Sequence, residues 1–206
     1  MTHLSRSLNI QHLSFKFPTA VEALFTDISF SFYTGWTGIV GTNGSGKTSL
    51  LQLINRSLEA GSGTINTHGD IHTVEQRTDQ APAGLDRMSQ NTDSKMWYWR
   101  NKLEIQSDWF HRWDSLSHGE RKRLQLAQVL AQDPDVLILD EPDNHLDTSA
   151  KEILLNTLKA YRGIGLIVSH DRQLLDDLCD HTLFLAGASP MMRSGGDSIA
   201  SQEMDR

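Results

Sequence analysis

The chain has 206 residues, 38 % of them hydrophobic, and a formal net charge of −7. That suits one domain with a sizeable core, and the acidic balance excludes broad, unspecific affinity for nucleic acid or anionic lipid. A single cysteine, Cys179, excludes an intramolecular disulfide, and no run approaches the roughly 18 apolar residues of a membrane span, so a soluble, cytoplasmic protein is expected.

Residues 8–17 and 24–32 alternate apolar and polar side chains, the pattern of antiparallel strands with one wet face. Phe17 at the end of the first either packs on the core as an ordinary strand residue or offers its ring to an adenine. Residues 37–40 read as a short buried strand. They lead into Gly41-Thr42-Asn43-Gly44-Ser45-Gly46-Lys47-Thr48, a full match to the phosphate-binding loop G-x-x-x-x-G-K-[ST], and 49–54 continue as a helix. Its glycines let the backbone N–H groups turn inward as a nest for phosphate, strengthened by the helix start behind them. Lys47 would reach the β- and γ-phosphates, and the Thr48 hydroxyl would be left for Mg²⁺.

Short strands are predicted over 63–66 and 71–74. Gln76 follows, a neutral amide at a strand end that can touch a metal ion or an attacking water. Residues 77–95 are polar without a period and read as a mobile loop. Residues 96–113 hold four of the five tryptophans, and Ile105, Trp109, Trp113 and Leu116 fall on one stripe of a helix. This is either a helical subdomain packed on the core or an exposed docking surface. Ser117 and Glu120 form an S-x-x-E capping box that opens the next helix. Its start is a possible anion site, though a capping box needs no ligand.

The apolar run 136–139 ends in Asp140-Glu141-Pro142, as in a central parallel strand that delivers two carboxylates to its C-terminal edge. Asp140 suits Mg²⁺, and Glu141 suits a water attacking the γ-phosphate. Asp147 caps a helix expected to run to Tyr161. Residues 165–168 form another buried strand, which ends in Ser169-His170-Asp171-Arg172 and so puts His170 at the same edge. A helix and a last strand over 181–185 follow. The expected organisation is one α/β domain over 1–188, with a mostly parallel P-loop sheet, an antiparallel β subdomain and a helical subdomain over about 77–131, then a flexible tail over 189–206.

Taken in order, from about Ile10 to Leu185, these segments resemble an ATP-binding cassette (ABC) ATPase domain. Glu-Pro-Asp-Asn-His-Leu-Asp at 141–147 and Ser-His-Asp-Arg at 169–172 resemble one cassette of an ABC-F protein. The resemblance implies ATP and Mg²⁺ as ligands and hydrolysis in a head-to-tail pair of cassettes. It implies that Phe17 stacks on adenine, that residues 41–48 hold the phosphates, and that Gln76 is the Q-loop residue. Asp140 and Glu141 match the Walker B aspartate and catalytic glutamate, Asp147 the D-loop aspartate and His170 the switch histidine. Ser117, His118, Gly119 and Glu120 match the signature that contacts the partner cassette's nucleotide. There His118 replaces the first glycine of the family's Leu-Ser-Gly-Gly-Gln or -Glu, which puts a bulky, titratable ring beside that nucleotide. The partners implied are a second cassette, in a homodimer or on another chain, and a ribosome in translation or antibiotic resistance. The alternatives are a nucleotide-binding subunit docked on a membrane permease and an ATP-dependent binding module with poor hydrolysis.

Overall fold

The strand at 136–139 carries apolar side chains without a break because both of its faces are covered. In the computed structural model, which describes residues 6–74, 77–90, 93–185 and 190–198, Val136 and Ile138 face one core, and Leu137 and Leu139 the other. This strand, β6 (Val136–Asp140), is an inner strand of a six-stranded sheet. The others are β3 (Gly35–Val40), β5 (Ile71–Val74), β7 (Ile164–Val168), β8 (His181–Phe184) and β9 (Met191–Ser194), in the order β5-β6-β7-β3-β8-β9. All neighbours are parallel except β8 and β9. Parallel order puts the C-terminal ends of β3, β6 and β7 side by side.

A second sheet, β2-β1-β4, is antiparallel and is built from β1 (Ser7–Phe15), β2 (Phe25–Tyr33) and β4 (Ser62–Thr67). Its inward residues Leu8, Ile10, Leu13, Phe25, Ile28 and Phe32 form one core with α1 (Lys47–Ile54) and one face of the large sheet. The opposite face is covered by α4 (His118–Leu130), α5 (Thr148–Leu158) and α6 (Arg172–Leu178). Each fully buried leucine or isoleucine contributes about 1.5–3 kcal/mol through the apolar surface taken from water. Trp36 ties this layer to the sheet, because its indole N–H donates to Leu158 O at 2.9 Å and its ring lies over Gly165, where a Cβ would strike it.

Three sequence expectations change. Ile105, Trp109, Trp113 and Leu116 are all buried, but they do not lie on one helix. Beyond α3 (Ser94–Lys102), Trp109 and Trp113 lie on two 3₁₀ turns, Ser107–His111 and Trp113–Ser115, separated by Arg112 at φ −136°, ψ 37°, with Ile105 before the first turn and Leu116 after the second. Guanidinium groups cover two of the rings, Arg123 at 4.6 Å from the Trp109 centroid and Arg121 at 5.5 Å from that of Trp113. The segment is therefore core packing, with Trp97 and Tyr98 left exposed. Within the stretch read as a loop lies α2 (Leu85–Gln90), which buries Leu85 and Met88. The stretch read as a tail holds β9, and beyond it Ser198 N–H donates to Asp176 Oδ1 at 2.8 Å. Among the described residues, no helix is long and apolar enough to cross a membrane.

Candidate active site

The loop between β3 and α1 turns on glycines that nothing else can replace. Gly46 sits at φ 96°, and a Cβ there would meet Phe25 Cζ at 2.7 Å and Leu24 Cδ2 at 3.0 Å. As the N-cap of α1 it provides no side chain, so the first amides of that helix receive no side-chain cap. Lys47 folds back over the loop, donating from Nζ to Gly41 O at 2.9 Å and Thr42 O at 3.2 Å. The Ser45 hydroxyl is buried with no hydrogen-bond partner. A cradle with bare amides, an ammonium and an orphan hydroxyl fits a phosphate chain.

Thr48, one residue further, donates from its hydroxyl to Asp140 Oδ2 at 3.2 Å. Burial holds the Asp140 carboxyl above its ordinary range. The Glu141 charge adds to that rise, while the Thr48 hydrogen bond, Lys47 and Lys122 oppose it. A hydroxyl and a carboxylate this close, in a site that disfavours the bare anion, are hard oxygen donors that fit Mg²⁺.

Glu141 follows at φ 49°, a left-handed conformation unusual for a residue with a side chain, and its N–H donates to Val168 O at 2.9 Å. This turn carries the carboxylate across the ends of β6 and β7. Its Oε1 lies 3.4 Å from His170 Nε2, and its Oε2 accepts from Asn144 Nδ2 at 3.2 Å. One open cleft of about 390 Å³ is lined by Phe17, Leu24, Asn43, Gly44, Lys47, Thr48 and Glu141. Phe17 is 39 % exposed, with its ring edge-to-face on Phe15 at 4.8 Å, so it both packs on the strand and borders the cleft. On the far side of the loop, Gly41, Thr42, Lys47 and His170 line a second cleft.

The expected signature lies elsewhere. None of residues 117–120 lines either of these clefts. The capping box is closed: Glu120 N–H donates to Ser117 Oγ at 3.3 Å, and Ser117 N–H donates to Glu120 Oε2 at 2.7 Å. Gly119 packs on the loop between β6 and α5, where a Cβ would lie 3.3 Å from Leu146 Cδ2. His118 bonds through Nδ1 with Thr78 Oγ1 at 2.9 Å, and its ring stands edge-on to that of His145 at 5.6 Å. The ring is thus held by its own chain. Burial lowers its pKa, and Lys122, His145 and Arg121 lower it further. Asp147 caps α5, its Oδ1 accepting from Ala150 N–H at 2.8 Å.

The structure therefore brings Phe17, the residues of the 41–48 loop, Asp140, Glu141 and His170 to one sheet edge and leaves 117–120 apart from it. Gln76 lies outside the described residues. Sequence reading missed Asn144, Thr78 and His145. Asn144 had a signal in its place three residues after Glu141, whereas Thr78 meets His118 only through tertiary folding.

A phosphate loop ending β3, paired acids ending β6 and a histidine after β7 define an ATP-binding class of P-loop protein. Residues 25–144 match the ABC transporter family, and the chain belongs to it. Among relatives, it is 35 % identical over 175 residues to the erythromycin resistance ATP-binding protein MsrA of Staphylococcus epidermidis, covering 85 % of this chain and 30 % of that protein. It is 39 % identical over 165 residues to the ribosome protection protein VmlR of Bacillus subtilis, covering 76 % and 27 %. Against the energy-dependent translational throttle protein EttA of Escherichia coli it is 35 % identical over 176 residues, covering 78 % and 32 %. The likeness is to one cassette of ABC-F proteins, and the chain spans just under a third of the length of these relatives. A metal-chelate type ABC transporter solved in an inward-facing conformation shares the fold, with a TM-score of 0.74 at 21 % identity over 93 % of this chain and 84 % of that one.

Proposed function

We propose that this chain is an ABC-F type cassette that binds MgATP and hydrolyses it together with a second cassette, in the cytoplasm, in ribosome protection, translation or antibiotic resistance. The observation that carries the reading is the single cleft bordered at one end by the Phe17 ring and at the other by Glu141, with the phosphate loop between them. The names of the relatives support the ribosomal and resistance setting.

Lys47 exchanges its loop carbonyls for phosphate oxygens, and the open amides of α1 take up further negative charge. Thr48 and Asp140 would hold Mg²⁺, which when bound neutralises charge on the phosphates. Glu141 orients water for in-line attack on the γ-phosphorus and accepts its proton, while His170, beside Oε1, steadies the same water and the γ-phosphate. The bond to the β-phosphate oxygen breaks, releasing ADP and phosphate. By their match to the family signature, Ser117 and Gly119 would meet the partner cassette's nucleotide.

Glu141→Gln keeps the side-chain shape and loses the base, so nucleotide binding stays while steady-state turnover falls about a hundredfold or more. Phosphate release measured beside nucleotide titration checks this. Unchanged turnover removes Glu141 from its assigned role.

A further inference from the structure

The carboxylate of Glu141 stands at the end of a side chain with rotatable bonds of its own. A base that must meet one water in one orientation works only if those rotations are arrested.

The segment after it supplies the arrest. Glu141 and His145 both take left-handed backbones, at φ 49° and φ 60°, and between them the chain closes on itself in a tight turn. Asn144 N–H donates to Glu141 O at 3.3 Å, and Leu146 N–H donates to Asp143 O at 3.2 Å. The Asn144 side chain lies back along this turn, and its amide donates to Glu141 Oε2 at 3.2 Å. One residue thus holds Glu141 at two points, the backbone carbonyl and a carboxylate oxygen. The other carboxylate oxygen, Oε1, is the one beside His170. Asn144 thus holds the Oε2 side of the carboxylate, and His170 stands on its Oε1 side.

Asp143 makes the turn rigid from the other side. It is buried beside Ser169, the residue before His170, and the Ser169 hydroxyl accepts from Asp171 N–H at 2.9 Å. The turn that carries Asn144 is therefore packed on the same strand end that carries His170, which fixes the amide relative to both members of the Glu141–His170 pair.

We infer that Asn144 is a positioning residue for hydrolysis, whose side-chain amide holds the carboxylate of Glu141 in its working orientation beside His170. The inference rests on the hydrolytic reading of the cleft. An amide suits the task because it donates without carrying charge. An aspartate in its place would set two carboxylates against each other, and a leucine would keep the volume and lose the donor.

The test compares Asn144→Leu and Asn144→Asp with the parent in the full chain. The expected result is a fall in kcat of about tenfold for the leucine and more for the aspartate, with KM for MgATP unchanged. In a Glu141→Gln background, Asn144→Leu produces no further loss, because the amide acts only through that carboxylate. A readout free of turnover is the ¹³C carboxyl resonance of Glu141 in the nucleotide-free protein, assigned by its disappearance in Glu141→Gln. It moves in both variants. A parent whose turnover depends on Glu141, combined with Asn144 variants of parental kcat or an unmoved resonance, overturns this inference and leaves the reading of the cleft intact. A parent without turnover overturns the hydrolytic reading and the inference with it.

Discussion

Helix α1 begins at Gly46 with no side chain bonded to its first amides, whereas α4 begins at Ser117 with both halves of a capping box closed. Two helix starts with the same intrinsic attraction for anions thereby have different capacities. At α1 the amides stay open, an ammonium rests on neighbouring carbonyls, and a cleft lies in front. At α4 the Glu120 amide is already taken by the Ser117 hydroxyl, and burial, outweighed by the hydrogen bonds with Ser117, leaves the Glu120 carboxyl below its ordinary range. An external phosphate meeting Ser117 must share or displace that internal bond. Being a helix start thus says little by itself; what matters is which group has already satisfied its amides.

Changes at the two starts should separate them. The largest effect is expected for Lys47→Ala, which removes the ammonium that rests on the loop carbonyls of the α1 cradle and should weaken MgATP binding at least about tenfold in calorimetry. Binding as tight as in the parent would mean that the open amides are not the nucleotide site. Ser117→Ala should act on the fold, since losing an N-cap costs about 1 kcal/mol, or about 2–4 °C in Tm for a chain of this size. An unaltered melting profile would show that the capping box frays in solution.

The smallest effect is expected for His118→Asn. The folded chain holds His118 below its ordinary value of 6.5, through burial first and then Lys122, His145 and Arg121. As pH falls below that value the unfolded chain takes the proton first, so the stability present above it is lost toward the lowered folded value. Removing the imidazole should therefore flatten the fall in stability as pH drops below 6.5, read by urea denaturation. Identical slopes would place the ring in solvent.

The centre of the large sheet was legible because β6 up to Leu139 and all of β7 are short, wholly apolar runs followed by chemistry-bearing residues, as at Leu139-Asp140-Glu141. The phosphate loop was legible because its glycines and lysine are spaced by backbone geometry. The tryptophan stripe was half legible: a spacing of four reports which side chains are buried, and the break at Arg112 leaves that burial intact while ending the helix. Helix α2 escaped notice because only Leu85 and Met88 of its six residues are apolar and buried. Strand β9 escaped because Met191-Met192-Arg193-Ser194 has no period and is recruited by its partner β8. The role of His118 was open from sequence, since only the fold brings Thr78 and His145 to it.

The placement of the indoles has an optical consequence. Trp36 lies on β3, Trp97 and Trp99 on α3, and Trp109 and Trp113 on the turns beyond it, while β1, β2 and β4 carry none. Tryptophan emission, excited selectively at the red edge of the indole band, therefore reports on the large sheet and the helical region and is blind to the antiparallel sheet. Acrylamide would reach Trp97, at 67 % exposure, long before Trp36 at 4 %. Unfolding followed by tryptophan emission alone would pass over an early release of β1, β2 and β4, which far-ultraviolet circular dichroism would record.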